Sequence, residues 1–172
     1  LFFYGFFLGL GYFILSLVWI FEPFLIEPNQ NLIFAPFAIL LLSSILAFFW
    51  GSAFFLSSYG NDFKNKKKSL LKLILFLSLA EFMRSFLFTG FPWVLFGLAF
   101  IDTPISQNLS IFGPYWLTFI IIFLCLIIPM GYLGVLISIS GFFLLNLYGL
   151  YRYDQVEYDK SNKQIRIIQP NI

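Results

Sequence analysis

Two charged residues and a short aromatic turn carry most of the chemistry this sequence can offer. Glu81 and Arg84 stand three residues apart in an otherwise apolar run, and Thr89-Gly90-Phe91-Pro92-Trp93 follows. Three apart on a helix, a carboxylate and a guanidinium share one face and can pair. Charges in hydrocarbon are costly, so they face a protein interior, a partner or a polar cavity. Two roles stay open: a mutually neutralising pair that fixes helix packing, or a site that meets substrate directly. Gly90 and Pro92 are expected to end the helix, leaving Phe91 and Trp93 at the bilayer edge, where amphipathic rings prefer to sit. Glu81, Arg84, Phe91, Pro92 and Trp93 are the candidate substrate-binding residues.

Other chemistries lack their residues. With no histidine in the chain, His-based triads and His metal sites are excluded. The single Cys125 rules out an internal disulfide and a Cys-cluster metal site. It sits among Leu124, Leu126 and Ile127, where a thiol stays protonated and inert, so packing is its expected role. The glycines lie in apolar helices without a following Lys-Ser/Thr, so no phosphate-binding loop is expected. The serines lie in apolar spans or loops, without a histidine to activate them. No cofactor and no metal is called for.

The elements that position the pair are membrane spans. The chain has 172 residues, 60% hydrophobic and only 10% charged. A soluble domain of this size needs far more charge to cover its surface. Apolar runs predict spans over 1–21, 32–59, 69–88, 115–128 and 132–151, each near or above the roughly 20 residues a crossing takes, or paired by a short turn. Gly5, Gly9 and Gly11 offer a small face for close helix approach, as do Ser43, Ala47 and Gly51 in the second span. Trp19 and Glu22-Pro23 mark an exit to water, and Pro36 suits a first helical turn. Thr89 to Pro114 reads as an outer loop whose Phe91, Trp93, Leu95, Phe96, Leu98 and Phe100 lie on the membrane surface. Asp102-Thr103-Pro104 reads as a turn, and Gly113-Pro114 opens the next helix. Pro129-Met130-Gly131 is either a turn or a kink, and two spans joined by a turn is preferred.

Lys64 to Lys68 forms the dense basic cluster, which the positive-inside rule places in the cytoplasm. A short lysine cluster between spans does not indicate nucleic acid. After Tyr151 the composition turns polar, and Ile165 to Ile172 has the Ile-rich character of a strand. Residues 152–172 are thus expected to open a soluble domain on the outer side. The expected fold is an all-α polytopic bundle of about five transmembrane helices (1–151) with the first strand of an incomplete α/β domain. Leu1 opens inside an apolar run, so the chain is expected to be an internal stretch of something longer.

In order along the chain, Glu81-Phe82-Met83-Arg84, Phe88-Thr89-Gly90-Phe91-Pro92-Trp93, Ile101 to Ile105, Phe112 to Tyr115 and the terminal IRIIQPNI resemble the bacterial apolipoprotein N-acyltransferases. The resemblance covers nearly the whole chain, and its most specific block is TGFPW. It implies an inner-membrane enzyme moving an acyl chain from phospholipid to the N-terminal cysteine amine of a lipoprotein. The partners implied are a phospholipid donor, an apolipoprotein acceptor and membrane lipids. The family works through a thioester with a Glu-Lys-Cys triad in a periplasmic nitrilase-like domain, which here would lie beyond Ile172. Neither Cys125 nor Glu81 matches a triad member, so neither inherits a catalytic role. The family's eight spans imply that this chain holds the middle ones and is inactive alone. On this resemblance Arg84 would steady a lipid phosphate, unless Glu81 already occupies it. The rival readings are a transporter or channel subunit using Glu81-Arg84 as an intramembrane polar site, and a non-catalytic membrane scaffold.

Overall fold

A computed structural model describes residues 1–26, 31–59, 66–87 and 90–155. Five α-helices carry these residues: α1 (Phe2–Ser16), α2 (Ala35–Ser58), α3 (Lys66–Arg84), α4 (Leu109–Leu126, kinked at Gly113, whose φ 73° and ψ 175° are not helical) and α5 (Tyr132–Asp154), with 3-10 turns between them. No strand occurs among the described residues. The expected strand at Ile165–Ile172 and most of the expected soluble domain at 152–172 lie outside them, as do Lys64, Phe88 and Thr89.

Packed neighbours run antiparallel. Gly5 lies against Trp50 and Phe54, and Gly9 against Ala47, which opposes α1 to α2. Between α2 and α3, Trp50 meets Glu81 while Lys72 donates to the Tyr59 carbonyl. Phe82 of α3 packs edge-on against Tyr115 of α4. Asn108, at the start of α4, donates to the Leu145 carbonyl, and Leu124 rests on Gly141 of α5. Leu1, Tyr59, Lys66 and Pro129 therefore gather at one end of the bundle. Ser16, Ala35, Arg84, Gly113 and Asp154 gather at the other.

Small residues set the closest approach. Ser43, Ala47 and Gly51 are buried on the face of α2 toward α1, as their four-residue spacing predicts. Gly11 departs from expectation. It is exposed, and a Cβ there would meet nothing within 4 Å, whereas one at Gly5 would fall 2.7 Å from the Trp50 carbonyl oxygen. At 100° per residue, positions 5 and 9 share a face and 11 does not. Alanine exceeds glycine in helix propensity by about 1 kcal/mol, so Gly11→Ala is expected to be neutral or to raise the melting temperature. Gly5→Ala is expected to lower it, because the Trp50 backbone cannot yield as a side chain would.

Three helices are long and apolar enough to cross a membrane: Leu32–Ser58, Gly113–Met130 and Tyr132–Asp154. Phe2–Ser16 and Val18–Leu25, bent by 45°, make a fourth if counted as one crossing. The five expected crossings are thus not all met on length and composition. The expected span 69–88 corresponds to α3, which carries Lys66, Lys67, Lys68, Lys72, Glu81 and Arg84. The expected span 1–21 is not continuous, since α1 stops at Ser16 and a 3-10 segment takes over. Pro23 has no N–H to offer the residue 19 carbonyl, so an α-helical pattern cannot run through it. Large apolar side chains such as Phe3, Phe7, Phe37, Leu41, Ile139 and Phe143 point outward from these helices. Facing lipid, they need no partner, because each helix satisfies its own backbone. This is a multi-pass membrane protein.

One connection is as expected and others are not. Residues 128–130 form a 3-10 turn and Gly131, at φ 100°, starts α5, so this is the turn between two helices. Helix α5 runs to Asp154, past the expected domain boundary at 152. The connection from Gly90 to Asn108, the larger part of the expected outer loop, does not lie flat on the membrane surface. Leu95 is buried, and Phe96 stacks on Trp50 inside the bundle at 5.2 Å. Burial among aromatic rings satisfies these apolar side chains better than the wet interface would.

Candidate functional site

Helix α3 ends at Arg84 rather than at Gly90. Gly90, at φ 82°, turns the chain back so that the Phe91 N–H reaches the Arg84 carbonyl at 3.0 Å. The segment Phe91–Val94 thereby lies over the end of its own helix, within reach of the Arg84 side chain.

Arg84 is 1% exposed and every N–H of its guanidinium is engaged. Nε donates to Glu81 Oε1 at 3.0 Å and Nη2 to Glu81 Oε2 at 2.7 Å, the two-pronged geometry that suits a carboxylate. Nη1 donates to the carbonyls of Phe91 at 2.7 Å and Trp93 at 2.9 Å, and Nη2 also to Val94 at 3.2 Å. The Phe13 ring of α1 covers the guanidinium, 5.2 Å from its centroid. A guanidinium has five donors and no more. None is left for a ligand.

Glu81 is equally buried, at 1% exposed. Its carboxylate accepts a third bond, at Oε1 from Trp50 Nε1 at 2.8 Å. The Val94 carbonyl accepts a second, from Tyr12 Oη at 3.1 Å. Tyr12 of α1, Trp50 of α2 and the Glu81-Arg84 pair of α3 thus meet in a single polar knot that holds the 91–94 loop. Val94 itself sits at φ 62°. For a β-branched residue such a conformation costs on the order of 1–3 kcal/mol and persists only where its surroundings over-determine it. Here the bonds from Arg84 and Tyr12 to its carbonyl supply that constraint.

Beneath the knot, Tyr12, Trp50 and Phe96 stack on one another with centroids 5.1–5.2 Å apart. Below this layer lies an apolar cavity of about 210 Å³, bordered by Trp50, Phe54, Leu77, Ile121 and Cys125. Cys125 is exposed on α4, not packed inside as expected. A wider open groove, about 620 Å³, runs along α2 between Ser44, Phe48, Phe49, Ser52 and Leu87. Its two serines return their hydroxyls to Leu40 and Phe48 carbonyls, so its surface is effectively apolar.

All five expected site residues are therefore brought together, in two layers. Glu81 and Arg84 form the buried layer. Phe91 is half-buried, while Pro92 and Trp93 are exposed, with Trp93 58% accessible and 5.6 Å from Trp19. Trp50, Tyr12 and Phe13 were missed. The signal for Trp50 was present, since a buried indole N–H needs an acceptor and Glu81 is the carboxylate within a bilayer-like run.

The N-terminal domain model of apolipoprotein N-acyltransferases matches residues 1–127. The chain belongs to the apolipoprotein N-acyltransferase family. It is similar to the apolipoprotein N-acyltransferase of Rhizobium rhizogenes, 31% identical over 98% of this chain and 33% of that protein. The Rickettsia prowazekii enzyme of the same name is 32% identical over 98% of this chain and 35% of its own length. The one from Brucella suis is 34% identical over 63% of this chain and 20% of its own. The chain thus spans about a third of the length of the Rhizobium and Rickettsia relatives. No solved structure matches it. The match makes this the membrane-embedded, N-terminal type of region of an apolipoprotein N-acyltransferase.

Proposed function

We propose that this chain is the membrane portion of an enzyme that moves an acyl chain from a phospholipid to the N-terminal cysteine amine of a lipoprotein. The family match over residues 1–127 carries this reading. The covalent steps belong to a Glu-Lys-Cys triad beyond Ile172, in a periplasmic nitrilase-like domain, and the Lys64–Lys68 loop faces the cytoplasm of the inner membrane. What the chain supplies is a shaped apolar wall. Glu81 and Arg84 act through the loop they hold, presenting Phe91, Pro92 and Trp93 to lipid or lipoprotein, while the groove along α2 receives an acyl tail. Because Arg84 spends all its donors on Glu81 and loop carbonyls, it has none for a lipid phosphate. The same saturation speaks against a carrier that would use the pair as a solute site.

Trp93→Ala in the longer protein tests the reading. Trp93 is largely exposed, so the melting temperature is expected to change little. Acyl transfer from phospholipid to a lipoprotein peptide is expected to fall at least tenfold. Unchanged transfer would remove the loop from the substrate surface. A gene whose reading frame carries no thiol-bearing domain after Ile172 would remove the enzyme reading itself.

A further inference from the structure

The end of the bundle opposite the loop carries a separate charged feature. Lys64, Lys66, Lys67, Lys68 and Lys72 account for half of the ten Lys and Arg residues in the chain, against one acid, Asp62, in the same stretch. Lys66, Lys67 and Lys68 form the first turn of α3 and are exposed. Between that turn and the Ile128–Met130 turn lies a pocket of about 340 Å³, lined by Lys66, Lys67, Leu70, Pro129 and Met130. Its lining combines two lysines and Leu70 from α3 with Pro129 and Met130 from the turn. The carboxylates of the described residues lie away from it: Glu81 is in the buried pair, and Glu22, Asp102 and Asp154 belong to the other end.

We propose that this pocket binds the headgroup of an anionic phospholipid, with its phosphate between Lys66 and Lys67 and its glycerol against Leu70, Pro129 and Met130. The turn joining two apolar helices, α4 and α5, sets the pocket at headgroup depth, where lipid is the abundant anion. Lysine clusters at a membrane surface attract anionic lipid, and basic pockets between helices select headgroups. The positive N-terminal end of α3 adds to the same field. A zwitterionic lipid brings its own ammonium into that field and is disfavoured. The inference does not depend on the acyl-transfer reading.

Native mass spectrometry of the detergent-solubilised chain decides it, with phosphatidylglycerol and phosphatidylcholine of identical acyl chains as probes. The first is expected to be retained at about tenfold lower concentration than the second, and the difference is expected to shrink in high salt. Lys66→Gln with Lys67→Gln is expected to abolish the preference, while Lys66→Arg with Lys67→Arg keeps it. Arg152→Gln, at the far end, is expected to leave it intact. Both lysine positions are exposed, and melting curves without lipid establish that the variants fold. Equal retention of the two lipids would overturn the proposal, as would a preference surviving the double Gln variant. Displacement of the lipid by inorganic phosphate alone would also overturn it, by assigning the pocket to a free anion.

Discussion

Arg84→Ala is expected to destabilise the chain by about 3–5 kcal/mol, the usual cost of leaving a buried charge without its partner. The loss has two parts here. Glu81 would keep one indole N–H but lose both bonds from Arg84, the Phe91 and Trp93 carbonyls would lose their donor, and the Val94 carbonyl would keep only the Tyr12 hydroxyl. Removing both charges separates the parts. Glu81→Gln combined with Arg84→Met is expected to recover a portion of the stability, because no unpaired ion remains. The recovery stays incomplete, since the carbonyls of Phe91 and Trp93 still lack a donor and each costs about 1–3 kcal/mol if it remains dry. Arg84→Lys keeps the charge but not the fork, and is expected to lie between wild type and Ala. Thermal melting in detergent reads all three variants against the wild type. A double variant less stable than Arg84→Ala alone would contradict this division.

Gly149→Val is expected to be the most damaging apolar substitution. A Cβ at Gly149 would run into the Pro104 carbonyl, a backbone atom in the 3-10 turn that precedes α4. Neither side can move without shifting a helix, and overpacking of this kind costs typically about 1–3 kcal/mol or more. The consequence travels. The 104–108 turn leads into α4, and Thr118 of α4 accepts the Gly97 N–H at 3.0 Å, just below the loop. Gly149→Val is therefore expected to lower both the melting temperature and acyl transfer in the longer protein. Gly149→Ala is expected to act in the same direction more weakly. Loss of transfer with an unchanged melting temperature would argue against this route.

Much of this architecture is legible in the sequence, and the exceptions have physical causes. Three-residue spacing sufficed to pair Glu81 with Arg84, and four-residue spacing sufficed for Ser43, Ala47 and Gly51. Both are periodicities of a single helix. Gly11 failed because a glycine's presence does not say which face it occupies, and only position relative to 5 and 9 decides. The bend after Ser16 was foreshadowed by Pro23, but apolar length obscured it. The deeper failure concerns the 90–108 connection. Its apolar residues were read as membrane-surface contacts, yet the space they fill is created jointly by α1, α2 and α4, and no local pattern encodes that. Likewise Val94 holds a left-handed conformation that nothing in its side chain favours. The donors that enforce it come from Tyr12 and Arg84, so the signal is tertiary.

Under the proposed function, Arg84 serves acyl transfer by posing the 91–94 loop and not by touching substrate. A double-mutant cycle between Arg84→Lys and Trp93→Ala, read as acyl transfer by the longer protein at a temperature where all four forms are folded, tests this most directly. If Arg84 acts through the loop, the double variant is expected to be no worse than the poorer single variant, because the second change removes what is already lost. Multiplicative losses would contradict the account, since they would give Arg84 a contact with substrate independent of the loop.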